Sequence, residues 1–119
     1  MLRGIGVDLC RTDRIGRLER LYGDRFLRRA FHENEITIAK GKPCDRTRQE
    51  YLASRWALKE ALLKAVGYRI DFCEIESANL SVRLHGSASQ RLSNYAIYSS
   101  LSHDSDYAIA FVTVTNAVA

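Results

Sequence analysis

The segment TRQEYLASRWALKEALLKAVG, residues 47–67, carries the strongest helix signal in this chain and decides its fold class. Thr47 and Glu50 have the spacing of a capping box, in which both side chains bond free N–H groups of the first turn. Gly67 stands where a C-cap glycine belongs. An apolar stripe lies between these ends: Leu52, Trp56, Leu63 and Val66. The pattern predicts one long helix over residues 47–67.

Strand patterns lie on both sides of this helix. Residues 2–9, LRGIGVDL, predict a strand that contains two glycines. Apolar and polar residues alternate around residues 80–84, 97–101 and 107–114, which predicts three more strands. Residues 102–106 are long enough to form a hairpin loop between the last two strands. One long helix packed on a mainly antiparallel sheet is an α+β fold.

Two shorter helices and a loop complete the predicted elements. We expect a helix after the first strand, capped by Thr12 or Asp13 and ended by Gly23. One face of this helix is apolar: Ile15, Leu18 and Tyr22. A short helix is expected over residues 87–94. The polar stretch 40–46, which holds the single proline of the sequence, predicts a loop.

Composition narrows the class of protein. The length of 119 residues fits one domain, residues 1–119. Apolar residues make up 46% and charged residues 27%, which is typical of a globular chain and not of a disordered one. The longest apolar run, residues 107–112, is far too short to span a membrane as a helix.

The cysteines bear on compartment and cofactor. Three widely spaced cysteines without a CxxC motif argue against a disulfide framework and against a zinc site. Reduced thiols, together with the lack of a signal-peptide pattern, favour the cytoplasm, or the mitochondrial matrix of a eukaryote.

The net charge of +4 is concentrated in the first quarter of the chain. Residues 1–30 hold eight arginines and four acidic residues, whereas basic and acidic residues balance over residues 31–119. This asymmetry indicates an acidic partner, which could be a nucleic acid, an anionic membrane surface or an acidic protein.

Two places in the sequence are candidates for chemistry. Asp8 follows small, flexible residues at the end of the first predicted strand, where its carboxylate could point into a cleft; an ordinary turn aspartate is the alternative. The segment lacks the third glycine of a dinucleotide fingerprint. Glu60 and Lys64 share a helix face, and an exposed ion pair is the alternative for them. Small residues beside these charges would let another backbone or a ligand approach closely: Ala53, Ala57 and Ala61.

A third candidate is SLSHD, residues 100–104. Residues adjacent in sequence rarely face one another as a Ser–His–Asp triad requires, so we favour a loop that contacts phosphate or ribose, with a plain hairpin turn as the alternative. Taken together, Asp8, Glu60 and Lys64 make a minimal phosphoryl-transfer site. Magnesium takes one or two protein carboxylates, and a lysine stabilises the leaving phosphate.

Four segments resemble holo-acyl-carrier-protein synthases, the small 4′-phosphopantetheinyl transferases, in their order and spacing. They are GIGVDL at residues 4–9, RFLRRAFHENE at 25–35, RWALKEALLKAVG at 55–67 and SLSHD at 100–104. The W-x-x-K-E-A-x-x-K-A block, with an aspartate ending the first strand, is the most specific part. The resemblance covers essentially the whole chain and implies the α+β fold of that family. It also implies transfer of 4′-phosphopantetheine from coenzyme A to a serine of an apo acyl carrier protein, with release of adenosine 3′,5′-bisphosphate, in support of fatty-acid biosynthesis.

The resemblance also implies roles for individual residues. Asp8 and Glu60 match the magnesium ligands, and Lys64 matches the lysine at the diphosphate. Glu60, directly or through a metal-bound water, would deprotonate the carrier serine. The positions matched to coenzyme A binding are Arg55, Lys64, Gly67, Gly86 and His103. Those matched to docking of the carrier protein are Arg14, Arg25 and Arg28.

The resemblance implies a homotrimer with active sites at subunit interfaces. Carrier proteins are strongly acidic, which agrees with the basic charge of residues 1–30. The stretch after Leu84 reads His-Gly-Ser-Ala-Ser, where the family often has a proline near the adenine, so the adenine contacts remain open.

Two other functions explain the sequence less well. A nucleic-acid-binding module could use the arginines of residues 1–30 against phosphates. However, Tyr22, Phe26 and Phe31 are spaced like core residues and not like a base-stacking platform, and Asp8 and Glu60 would have no role. An inactive homologue that serves as an interaction subunit would be expected to lack one of those two acids. We therefore expect neither a nucleic acid nor a membrane as partner.

Overall fold

The computed structural model describes residues 1–79 and 81–117, over which it has five strands and five α-helices. The strands are β1 Leu2–Arg11, β2 Ile75–Glu76, β3 Arg83–Leu84, β4 Tyr95–Asp104 and β5 Tyr107–Asn116. The helices are α1 Thr12–Tyr22, α2 Asp24–Ala30, α3 Glu33–Lys40, α4 Asp45–Val66 and α5 Gly86–Arg91, and a 3-10 turn occupies Phe72–Glu74. In this described part, no helix has both the length and the apolar character needed to cross a bilayer.

The main sheet is antiparallel, in the order β1-β5-β4, and α4 lies across one of its faces. Residues on β5 alternate between the two faces of the sheet, as a period of two requires. The side chains that face α4 are buried and small or branched: Ala108, Ala110, Val112 and Val114. Strands β2 and β3 form a separate two-stranded hairpin. The predicted α+β arrangement of one long helix on an antiparallel sheet is confirmed.

Close approach of β1 to α4 depends on two glycines. A Cβ atom on Gly4 would overlap the carbonyl oxygen of Ala65, and one on Gly6 would overlap that of Ala61. Ala57 and Ala61 are fully buried under the sheet. The small residues were expected to allow close approach of either another backbone or a ligand. In the structure they allow close approach of the β1 backbone. The glycines set the distance between the end of β1 and the last turns of α4.

The predicted end of α4 is confirmed, but its predicted start is wrong. Gly67 has a left-handed φ of 84° and donates its N–H to the carbonyl of Leu63 at 2.8 Å. The helix begins at Asp45 with Cys44 as its N-cap, and no side chain caps it. Thr47 lies inside the first turn, where its hydroxyl donates to the carbonyl oxygen of Cys44 at 3.1 Å. A threonine in that place no longer has the extended backbone that a capping residue requires.

For helix α1, too, the predicted end is confirmed and the predicted cap at the start is wrong. Gly23 ends it as predicted, through an N–H bond to the carbonyl of Glu19. The N-cap is Arg11, and neither Thr12 nor Asp13 caps the helix, since both already lie within it. Of its predicted apolar face, Ile15 is buried, Leu18 is partly buried and Tyr22 is exposed.

Three boundaries in the predicted loops and strands also change. The strand predicted at residues 80–84 is reduced to β3, and Leu80 lies outside the described residues. Strand β4 continues through residues 102–104, so the hairpin turns at Ser105 and Asp106 alone. The loop predicted at 40–46 narrows to residues 41–44 because α4 starts early. The helix predicted at 87–94 is present as α5, but it begins at Gly86 and ends at Arg91.

Candidate active site

Asp8 and Lys64 meet where β1 passes over the last turns of α4. The Nζ atom of Lys64 lies 3.2 Å from Oδ1 of Asp8 and donates a hydrogen bond to the carbonyl of Val7 at 3.0 Å. The Asp8 side chain is 17% exposed and that of Lys64 is 56% exposed. The pair therefore lies at the edge of the packed region, within reach of a ligand. Its existence depends on the close packing at Gly4 and Gly6, which brings Asp8 next to α4.

Glu60 lies one turn before Lys64 on α4 and is partly buried. Burial raises the pKa of the Cys10 thiol to about 11; Arg14 acts against that shift, and Asp8 and Glu60 add to it. The structure brings Asp8 and Lys64 into contact and places Glu60 one turn earlier on the same helix.

A cavity of about 730 Å³ opens beside Glu60. Three adjacent aromatic rings form part of its apolar wall: the centroid of Trp56 lies 5.9 Å from that of Phe26 and 5.1 Å from that of Phe72. Arg25 and Glu60 also line it. The cavity combines an apolar wall with a carboxylate and basic groups, which suits a ligand with an apolar arm or side chain.

The predicted docking arginines differ in their relation to this cavity. Arg25 lines it, and the guanidinium of Arg14 lies 5.6 Å from the centroid of the Trp56 ring in its wall. Among the described residues, Arg29 and Arg69 line the cavity and Arg28 does not. Arg29 is adjacent to Arg28 within the basic segment, and the charge pattern alone could not tell which of the two faces the cavity.

Arg55 is held by backbone carbonyls. Its Nε donates to the carbonyl of Ser77 at 2.7 Å, and its Nη2 donates to that of Asn79 at 2.9 Å. Nη1 donates to the hydroxyl of Ser54 at 3.0 Å, and the guanidinium lies 4.3 Å from the centroid of the Tyr51 ring. A guanidinium has five N–H donors, so two remain for an anionic ligand. This anchoring fixes the direction in which they point.

His103 is not part of the Asp8–Lys64 group. It lies on β4, where its Nδ1 is 3.9 Å from a carboxylate oxygen of Glu50. Glu50 precedes Glu60 by ten residues, which is about 15 Å along a helix. Within one chain, His103 therefore lies near the first half of α4, the half that also carries Arg55.

Gly86 has a structural reason for being glycine. Its φ is 58°, and a Cβ atom there would overlap the carboxylate of Glu74. That carboxylate accepts hydrogen bonds from the backbone N–H groups of Ser87 and Ala88, at 3.2 and 3.1 Å, at the start of α5. Gly67 closes α4 three residues after Lys64, so it borders the Asp8–Lys64 group.

Comparison with known proteins assigns a family to this geometry. The family model described as the 4′-phosphopantetheinyl transferase superfamily matches residues 4–112. A holo-[acyl-carrier-protein] synthase of Wolbachia pipientis subsp. Culex pipiens (strain wPip) is 36% identical over 121 residues, covering 96% of this chain and 98% of the relative.

Solved structures agree in fold. The holo-[acyl-carrier-protein] synthase of Neisseria meningitidis has a TM-score of 0.84 at 28% identity, covering 98% of this chain and 100% of that one. The enzyme of Bacillus anthracis str. Ames, in complex with CoA (3′,5′-ADP), has a TM-score of 0.80 at 29% identity, covering 98% and 99%. The two acids, the lysine and the fold that positions them are therefore found in a chain that belongs to the 4′-phosphopantetheinyl transferase superfamily.

Proposed function

We propose that this protein is a holo-[acyl-carrier-protein] synthase, which transfers 4′-phosphopantetheine from coenzyme A to a serine hydroxyl of an apo acyl carrier protein. The observation that supports this proposal is the contact of Asp8 with Lys64 where β1 meets α4, with Glu60 one helical turn before Lys64. The second product is adenosine 3′,5′-bisphosphate. We expect the holo carrier to serve fatty-acid biosynthesis and the reaction to take place in the cytoplasm.

The reaction is a displacement at phosphorus. The serine oxygen forms a bond to the phosphorus that bears pantetheine, and the bond from that phosphorus to the bridging oxygen of the diphosphate breaks. Adenosine 3′,5′-bisphosphate leaves with the electron pair. Glu60 accepts the proton of the serine hydroxyl, and the ammonium of Lys64 stabilises the negative charge that develops on the leaving phosphate. Both groups lie on one face of α4, which fixes the distance between the proton acceptor and the cation.

Asp8 and Glu60 fit a magnesium ion by donor chemistry. Both offer hard carboxylate oxygens, which Mg²⁺ prefers, whereas the soft sulfur of the neighbouring Cys10 is a poor ligand for this ion. When bound, the ion would neutralise charge on the diphosphate. Lys64 balances the charge of Asp8 in the structure described here.

Docking of the carrier protein is proposed for the surface around the cavity beside Glu60. Arg14 and Arg25 border an apolar cavity, and this combination suits an acidic protein that inserts an apolar side chain. Arg28 lies on the same short helix as Arg25, and its charge would act at longer range. The carrier serine would then approach Glu60 from the cavity side.

Coenzyme A is proposed to extend from Lys64 towards Arg55, Gly86 and His103. The position of His103 near the half of α4 that carries Arg55 supports a shared role of these two residues at the 3′-phosphate end.

Self-association is supported by the sheet face opposite α4, which exposes many apolar side chains: Leu2, Ile5, Val7, Leu9, Tyr98, Tyr107, Ile109 and Phe111. A patch of this kind commonly marks a contact between proteins. The family resemblance implies that the assembly is a homotrimer. Light scattering should give three times the mass of the chain, and Phe111→Glu should lower it. A monomeric wild-type protein would contradict the trimer.

The proposed activity is tested by the mass of a carrier protein. An apo acyl carrier protein is incubated with this protein, coenzyme A and Mg²⁺, and its intact mass is measured with and without EDTA. We expect a gain of one phosphopantetheinyl group that EDTA prevents. If the folded protein neither modifies any of several apo carriers nor binds coenzyme A, the proposal is wrong and an interaction role is favoured. If the gain in mass persists in EDTA, the reaction is supported but its dependence on Mg²⁺ is not.

A further inference from the structure

A second group of ligating side chains lies outside the active site. It consists of His32 at the start of α3, Glu76 on β2 and His85 just before α5. One atom from each of these side chains lies within 4.8 Å of the other two. We call this group the His-Glu-His cluster. No step of the proposed transfer reaction uses it.

The carboxylate of Glu76 is the centre of the cluster. Its Oε1 lies 2.7 Å from Nε2 of His85 and 3.7 Å from Nδ1 of His32. Its Oε2 accepts a hydrogen bond from the side-chain amide of Asn34 at 3.1 Å. The amide thus turns Oε1 towards the two imidazoles, as outer hydrogen bonds do around metal ligands.

Glu76 is the buried member of the cluster, since its side chain is only 4% exposed. A buried carboxylate needs hydrogen-bond donors or a cation as partners, and a bound metal ion would supply the cation.

From this geometry we propose that the His-Glu-His cluster binds a first-row divalent transition metal, with Zn²⁺ as the best fit. Two imidazoles and one carboxylate are a common donor set for zinc and a poor one for magnesium or calcium. Bonds of about 2.0–2.2 Å from one tetrahedral ion place the ligand atoms about 3.3 Å apart. The separations of 2.7 and 3.7 Å from Oε1 lie on either side of that value.

The fourth position of the metal would be open to solvent. The side chain of His85 is 42% exposed, and that of His32 is 18% exposed. Water can therefore reach the ion and complete a tetrahedron, as in other sites with three protein ligands. The exposed imidazole of His85 is also free to rotate by the small amount that the site requires. The cysteine spacing speaks only against a zinc site with thiolate ligands, and no cysteine belongs to this cluster.

Binding has a structural cost, which limits the affinity. Nδ1 of His32 accepts the backbone N–H of Asn34 at 3.1 Å, and a metal on that nitrogen would replace this capping bond. The two rings are stacked with centroids 4.5 Å apart, and they must tilt to aim at one ion. Because binding replaces this hydrogen bond, we expect a site weaker than a preformed structural zinc site.

The proposal is tested by metal binding to the full-length protein. Equilibrium dialysis against Zn²⁺, with excess Mg²⁺ to occupy the active-site carboxylates, is followed by metal analysis. His85→Ala removes an exposed ligand. His32→Thr removes another ligand and keeps a good helix cap, so the fold should survive. His103→Ala is the matched control, since it removes the only histidine outside the cluster. Circular dichroism checks the fold of each variant.

We expect the wild-type protein and His103→Ala to bind one more equivalent of Zn²⁺ than His85→Ala and His32→Thr. In these two variants the affinity of the cluster for Zn²⁺ should fall at least about tenfold. The Tm of the wild-type protein should rise with Zn²⁺, because an ion would join α3, β2 and the start of α5. Equal binding by the wild type and both cluster variants would overturn the proposal. So would loss of the extra equivalent in His103→Ala. Neither result depends on transfer activity, so failure here leaves the proposed reaction intact.

Discussion

The Nζ atom of Lys59 lies 2.6 Å from Oε1 of Glu35, and neither side chain is exposed to solvent. Lys59 also donates to the carbonyls of Ala30 and Phe72, at 3.0 and 2.9 Å, and Glu35 accepts the N–H of Ser77 at 2.8 Å. This ion pair therefore joins α2, α3, α4 and the segment after the 3-10 turn. It lies next in sequence to Glu60, whose position depends on the same helix.

Lys59→Met should destabilise the protein strongly. It leaves the Glu35 carboxylate buried without its cation, a loss of about 3–5 kcal/mol in the free energy of unfolding. Urea unfolding followed by circular dichroism measures it. Lys40→Met is the matched control, because the Lys40–Asp24 pair is exposed and such pairs contribute at most about 1 kcal/mol. If both variants lost the same free energy of unfolding, burial would not determine how much the Lys59–Glu35 pair stabilises the protein.

Gly6→Ala should damage both stability and the active site. The added methyl group overlaps the carbonyl of Ala61, so β1 must move away from α4, at a cost of about 1–3 kcal/mol. Gly41→Ala is the matched control, since a Cβ atom there meets no atom closer than 3.4 Å. Thermal unfolding and the rate of transfer are measured for both. An unaffected Gly6→Ala variant would mean that the sheet and helix tolerate a wider separation.

The sequence predicted α4 and grouped Asp8 with Lys64, whose contact the structure shows, but other parts depend on contacts that the sequence does not reveal. Lys59 has the same local surroundings as any helical lysine, and its burial follows from the packing of α2 and α3 against α4. The start of α4 was misplaced because the capping-box pattern at Thr47 is local, whereas the helix extends to Asp45 in its tertiary setting.

The His-Glu-His cluster was not predicted because its members are far apart in sequence. His32 caps α3, whereas Glu76 lies on β2 and His85 directly follows β3, both more than forty residues further along the chain. No spacing motif relates these positions, so only the folded chain brings them together. By contrast, Gly67 was predicted correctly because a C-cap depends on neighbouring residues alone.

The pH dependence of stability should include a contribution from Glu76. Because the folded pKa of this carboxyl is lowered, its contribution is fully present above the unfolded value, near 4.5, and is lost as the pH falls through the folded value. Glu76→Gln should therefore flatten the decline of the free energy of unfolding in acid. Urea unfolding from about pH 6 to pH 3 measures this decline, with the exposed Glu33→Gln as control. Parallel curves for wild type and Glu76→Gln would contradict the expectation.

Glu60→Gln should abolish transfer without unfolding the protein. The amide keeps the size of the side chain but cannot accept the serine proton, and loss of a general base costs about 10²–10⁴ in rate. Transfer to an apo carrier is followed by intact mass, and circular dichroism checks the fold. Glu33→Gln, at an exposed glutamate on α3, is the control and should keep most of the activity. If Glu60→Gln kept wild-type activity, Glu60 would not be the proton acceptor of the reaction.

Reversal of charge at Arg14 and Arg25 should weaken carrier docking and leave coenzyme A binding nearly unchanged. Both arginines border the cavity beside Glu60, where an acidic carrier would meet them, whereas the proposed place of the diphosphate is at Lys64. The double variant Arg14→Glu, Arg25→Glu should raise the KM for the carrier, most strongly at low salt, since complementary charge mainly speeds encounter. Arg17→Glu, Arg20→Glu gives the same change in net charge on α1 away from the cavity. If both double variants raise the KM equally, overall charge and not this surface governs docking.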